Sequence, residues 1–126
     1  MSVETLSIRF FRLTSGREPV REWLKDLGRP DSLAIGEDIR LAQISWPIGL
    51  PHCRPLGGGL YEIRSSLTDG RIARVIFFFC DGEMILLHGF IKKTPRTPPS
   101  DLKLAKDRRT AYLKGGAGGL LEGKRT

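Results

Sequence analysis

The stretch Leu60–Pro98, LYEIRSSLTDGRIARVIFFFCDGEMILLHGFIKKTPRTP, decides how this chain is read. Three apolar runs, near 60–66, 71–80 and 83–91, are separated by Asp69-Gly70 and Asp81-Gly82. Asp-Gly between apolar runs is a strong hairpin signal. Connections this short join antiparallel neighbours, so the stretch is expected to form a three-stranded meander. Charges punctuate the apolar runs: Glu62 and Arg64 in the first, Arg74 in the second, Lys92 and Lys93 at the end of the third.

Side chains two apart on a strand share a face. Tyr61 and Ile63 therefore fall on one face, and Leu60, Glu62 and Arg64 on the other. In the second run Ala73, Val75, Phe77 and Phe79 alternate with Ile72, Arg74, Ile76 and Phe78. Both sets are largely apolar, which predicts a central strand with helices over at least part of one face. Arg74 is costly there unless it is paired or reaches solvent. Two readings follow. Either a Glu62–Arg74 or Glu62–Arg64 salt bridge only orders the sheet, or Glu62 holds an arginine in place on a concave cationic surface. In the third run His88 shares parity with Leu86, Phe90 and Lys92, and is either a satisfied core residue or a proton-transfer group.

Outward from the meander, Leu6–Leu13 (LSIRFFRL) reads as a strand. Pro19 opens a helix with the apolar stripe Val20, Trp23, Leu24 and Leu27, stopped by Gly28. A second helix, capped by Asp31 or Ser32, carries Ile35, Ile39 and Ala42 and ends at Trp46-Pro47. Residues 47–59 (PIGLPHCRPLGGG) read as a loop. Ser100 caps a last helix, Asp101 to about Lys114, with Ala105, Tyr112 and Leu113 as its packing side. Lys103, Lys106, Arg108, Arg109 and Lys114 make that helix basic, and Tyr112 either packs or stacks on a base. The order strand, helix, helix, three strands, helix predicts an α+β domain, residues 1–114, with a small antiparallel or mixed sheet and a flexible tail, 115–126.

Composition bounds the function. The chain has 126 residues and a net charge of +7, enough for one core. Residues 1–60 hold 8 Lys/Arg against 7 Asp/Glu, and residues 61–126 hold 13 against 7, so the basic excess sits with the meander and last helix. Polyanions suit such a surface. Cys53 and Cys80 have no metal or redox spacing, which fits a reducing cytoplasm. No apolar run approaches the roughly 18 residues a membrane span needs, and the N-terminus MSVETLSIRFFRL has no export core. Gly57-Gly58-Gly59 is no phosphate loop, since no Lys-Ser/Thr follows and a strand comes next. His52-Cys53 lacks a third partner for nucleophilic chemistry, and neither a metal site nor a cofactor is expected.

Leu60–Arg64, Arg74 and Leu87–Lys93, followed by TPRTP and a helix, together resemble the RelE/ParE toxin superfamily, and in pattern its phage-derived, HigB-like branch. That branch shows a Leu-aromatic-Glu-Leu/Ile-Arg strand, a strand carrying Arg, and a Leu-x-x-Phe-x-Lys-Lys ending. The similarity covers about residues 6–114. It implies a toxin neutralised by an antitoxin that usually also binds DNA. Many members cleave mRNA in the ribosomal decoding site without metal and so block translation. The alternative is a non-hydrolytic toxin, such as a gyrase inhibitor, or a degenerate binding module.

On this resemblance Glu62 and Arg64 fall on the strand that carries catalytic basic residues, Arg74 matches a functional arginine, and Lys92 and Lys93 match the strand-end basic group. A carboxylate at 62 departs from the RelE-type pattern. So does the lack of a catalytic tyrosine at the very C-terminus, for which Tyr112 is the possible substitute. Metal-free cleavage needs cations on the phosphate, suited to Arg64, Arg74 and Lys92, and proton transfer, for which Glu62, His88 or a lysine is available. Lys93, Arg96, Lys103, Lys106, Arg109 and Tyr112 are the further candidates for RNA contact.

Overall fold

The computed structural model describes residues 6–45 and 53–116. Strand β1 (Ser7–Phe10) is followed by helices α1 (Pro19–Leu27) and α2 (Arg29–Ser45), strands β2 (Cys53–Gly57), β3 (Leu60–Ser66), β4 (Ile72–Cys80) and β5 (Glu83–Lys92), and helix α3 (Pro99–Ala111). One five-stranded sheet has the order β1-β5-β4-β3-β2. The pairings β2–β3, β3–β4 and β4–β5 are antiparallel, and β1 runs parallel to β5. The fold is α+β with a mixed sheet, as expected. The meander closes through the two Asp-Gly turns, where Asp69 (φ 66°), Gly70 (φ 75°), Asp81 (φ 51°) and Gly82 (φ 77°) all adopt the left-handed region.

Helices cover both faces of the sheet. Val20 and Leu24 of α1 and Ile35, Ile39 and Ala42 of α2 pack on Ile63, Ala73, Val75, Phe77, Met84 and Leu86. On the other face Ala105 and Leu102 of α3 pack with Leu60, Ile76, Phe78, Ile85 and Leu87. Fully burying an Ile, Leu or Phe side chain is worth roughly 1.5–3 kcal/mol. β4 supplies side chains to both clusters, which is why its sequence is apolar on both parities.

Several boundaries differ from the sequence reading. Residues 53–57, read as loop, form edge strand β2, with Arg54 opposite Glu62. Its Pro55 and terminal Gly57 are tolerated because an edge strand has one unpaired side and the register shifts there. Residues 47–52 of that loop, and Trp46-Pro47 as the expected end of the second helix, lie outside the described residues, as does 117–126 of the expected tail. α2 starts at Arg29 rather than being capped by Asp31 or Ser32. Asp31, only 8% exposed, instead receives Arg71 (Nη1 to Oδ2, 2.9 Å), tying α2 to the start of β4. α3 starts at Pro99, whose fixed φ suits the first turn, and Ser100 caps nothing. Tyr112–Gly116 form a wider helical turn ended by Gly115 (φ 85°), and Leu113 is exposed rather than packed.

One irregularity reorders β5. Phe77 pairs with Leu86 but Ile76 pairs with His88, so Leu87 is an extra residue in the ladder. The bulge places Leu86 on the α1/α2 face, while Leu87 and His88 both serve the α3 face. The parity that grouped Leu86 with His88 therefore fails at one position.

At Gly89, just past the bulge, α1 comes closest to the sheet: an added Cβ would overlap the Trp23 indole at Cζ3, Cε3 and Cδ2. Gly89→Ala is expected to destabilise by about 1–3 kcal/mol through overpacking. Gly36→Ala, at an exposed helical position with nothing within 4 Å, is expected to stabilise by about 1 kcal/mol. Urea midpoints of the two variants check the contrast, and equal midpoints would remove the packing argument.

Candidate functional site

Glu62, Arg64, Arg74 and Lys92 of the meander gather on the α3 face, toward the end of β5. Arg54 lies opposite Glu62, Arg64 opposite Arg74, and Lys92 opposite Ile72 one strand further along. Cross-strand partners share a face, so Arg54, Glu62, Arg64, Arg74 and Lys92 form one group. Like charges directly opposite each other destabilise a sheet, yet here two guanidiniums face each other beside an ammonium.

Glu62 is the hub. It is 1% exposed, and Arg74 is 4% exposed. Arg74 Nη1 donates to Glu62 Oε1, Arg54 Nε donates to the same oxygen at 3.1 Å, and Thr97 Oγ1 donates to Oε2 at 2.7 Å. A buried ion pair of this kind needs such extra hydrogen bonds to offset desolvation. Both carboxylate oxygens are occupied, so Glu62 is built to hold neighbours. The Arg74 Nε, also buried, has no hydrogen-bond partner among the described residues. Arg64 is exposed. Loss of hydration first, then the charges of Arg74, Arg64 and Arg54, push the Lys92 ammonium below its ordinary pKa, while Glu62 acts in the opposite sense.

The remaining candidates are placed differently. His88 stacks on Phe90 (5.5 Å, 20°) and its Nε2 lies 2.6 Å from Asp101 Oδ1, so it fastens the first turn of α3 to β5. Arg108 Nη1 donates to the Leu87 carbonyl at the bulge (2.9 Å), and burial lowers its pKa. Arg109 Nη1 donates to the Gly58 carbonyl in the β2–β3 turn. Tyr112 packs edge-on against Phe78 (5.8 Å), and burial raises its pKa. Lys103 pairs with Asp107 (2.9 Å) on the exposed side of α3, where Lys106 is also exposed. Lys93 and Arg96 are exposed on the segment after β5 that Thr97 anchors. The structure thus unites Arg64, Arg74, Lys92 and Glu62, sets His88 against α3, and spreads the others along the rim and helix.

Sequence reading missed Arg54 and Thr97. A Pro- and Gly-rich segment gives no strand signal, and register with Glu62 cannot be read without the strand. Thr97 is reached only through the path of the loop after β5. Burial raises the pKa of both Cys53 and Cys80, as fits thiols with no nucleophilic role. Among the described residues no cluster of His, Cys, Asp and Glu could hold a metal ion, and no helix is long and apolar enough to cross a membrane.

A mixed five-stranded sheet with paired helices on one face, and a cationic strand group beside one helix on the other, is consistent with a small RelE-like fold. The chain matches the model of the phage-derived protein Gp49-like family (DUF891) over residues 22–110, more than two-thirds of its length. It belongs to that family, a family of RelE-type toxins. The matched span contains the whole group from Arg54 to Thr97. No curated protein is significantly similar to the chain.

Proposed function

We propose that this protein is the toxin of a HigB-like toxin–antitoxin pair and a ribosome-dependent mRNA endoribonuclease that works in the cytoplasm by side-chain chemistry. The observation that carries the reading is the gathering of Arg64, Arg74 and Lys92 on one face around a single carboxylate. In the reaction the 2′-oxygen bonds to the adjacent phosphorus and the bond to the 5′-oxygen breaks. The 2′-hydroxyl proton must leave, and the departing 5′-oxygen must gain one. Negative charge grows on the phosphoryl oxygens, where preorganised guanidinium donors have the most effect. Arg64, which is exposed, suits that task, and Arg74, buried beside Glu62, adds its positive charge to the same face. Lys92, with its lowered pKa, suits proton exchange better than Glu62, whose oxygens are both engaged. Lys93, Arg96, Lys106 and Arg109 extend positive charge toward α3 for contact with the ribosome or the mRNA strand. The antitoxin, usually a DNA-binding protein in the superfamily this chain resembles, would cover this face with an acidic or amphipathic segment.

Induction in growing cells, with 5′ ends of ribosome-bound mRNA mapped, tests the reading. Growth arrest with new ends inside coding regions is expected, relieved by co-expression of the neighbouring open reading frame. Arrest with intact mRNA and lost supercoiling would replace it with gyrase inhibition.

A further inference from the structure

We propose that Arg54, on edge strand β2, is a substrate-binding residue of this site that contacts a backbone phosphate of single-stranded RNA, with Glu62 as the residue that aims it; this rests on the nucleic-acid reading above. Arg54 uses only Nε on Glu62. Its two terminal nitrogens make no hydrogen bond among the described residues, and its side chain is 52% exposed. A guanidinium carries five N–H donors in a rigid fork. Anchoring the fork by its inner nitrogen fixes the plane and leaves the outer pair pointing at solvent, the geometry for a phosphate.

Position supports the same conclusion. Arg54 lies one strand from Glu62, and Arg64 lies two residues along β3 from Glu62, about 6.6 Å of strand rise. The Arg54 charge is felt at Lys92, together with those of Arg74 and Arg64. Four cations thus surround one carboxylate, and Arg54 extends the group to the edge strand of the sheet.

The test uses the purified full chain and a single-stranded 2′-deoxy octanucleotide, which lacks the attacking hydroxyl and reports binding alone. Fluorescence anisotropy is measured across a salt series for wild type, Arg54→Ala, Arg54→Gln and Arg64→Ala. Arg54→Ala is expected to weaken binding by about 3- to 30-fold and to lower the slope of log K against log[salt] by about 0.7, the signature of one lost phosphate contact on a single strand. Arg54→Gln keeps a donor for Glu62 but no charge, and is expected to show the same slope change with wild-type melting. An Arg54→Gln slope equal to wild type, while Arg64→Ala weakens binding, overturns the role of Arg54 and leaves the nucleic-acid reading standing. If neither Arg54 nor Arg64 variants alter binding, the nucleic-acid reading itself falls, and the Arg54 proposal with it.

Discussion

Glu62→Ala is expected to cost about 3–5 kcal/mol of stability, because it leaves the Arg74 guanidinium buried without its anion. For a domain of this size that is a fall in Tm on the order of 10–20 °C. Arg74→Ala is expected to cost less. The carboxylate it leaves behind still accepts from Arg54 and Thr97. Replacing both by Met removes the desolvation cost together with the pair, and such exchanges are often neutral or stabilising. The double variant should therefore melt near or above wild type while losing activity. Thermal melts of wild type, Glu62→Met, Arg74→Met and the double Met variant form a complete cycle. A Glu62→Ala protein that melts with wild type would show that the carboxylate does not hold Arg74. A double variant as unstable as Glu62→Ala would show that its loss is packing rather than charge.

Arg64→Ala is the clean probe of chemistry, and is expected to slow ribosome-dependent cleavage by about 10²–10³. Arg64 is exposed and forms no ion pair with Glu62, so stability should stay within about 0.5 kcal/mol of wild type. Arg64→Lys should recover only part of the rate, because an ammonium cannot reproduce the two parallel donors of a guanidinium. Cleavage rate and Tm are to be read on the same preparation. Wild-type cleavage by Arg64→Ala removes it from the reaction. Activity lost only in step with Tm assigns it to the fold.

The parts of this fold that local chemistry dictates were legible. Asp69-Gly70 and Asp81-Gly82 can hardly be anything but turns, and they fixed the antiparallel order of β3, β4 and β5. Val20, Trp23, Leu24 and Leu27 marked α1 because the stripe is uninterrupted. What was hidden depended on pairing rather than pattern. β2 is held by its ladder to β3 and has no apolar alternation of its own. The bulge at Leu87 flips parity without leaving a mark such as Gly or Pro at that position. Leu113 extended an apolar stripe past the end of α3, where the wider turn at Tyr112 rotates it outward. In the site, alternation grouped Glu62 with Arg64 and separated Arg74 from the packing set facing α1 and α2. It could not reveal Arg54, Thr97 or the tie of His88 to Asp101, since each is a contact between segments whose spacing no periodicity sets.

The parallel seam between β1 and β5 also sets a timetable for synthesis. Ser7 pairs with Glu83, so β1 is made long before the strand it pairs with. At about 5–20 residues per second the delay is roughly 4–15 s. Throughout it the apolar residues Ile8, Phe10 and Phe11 have no sheet to join. The cationic group, whose members run from Arg54 to Lys92, is completed by the same late strand, so no chain that ends before Lys92 carries it. A protein that attacks translating ribosomes would thus become competent only after its own β5 has been made.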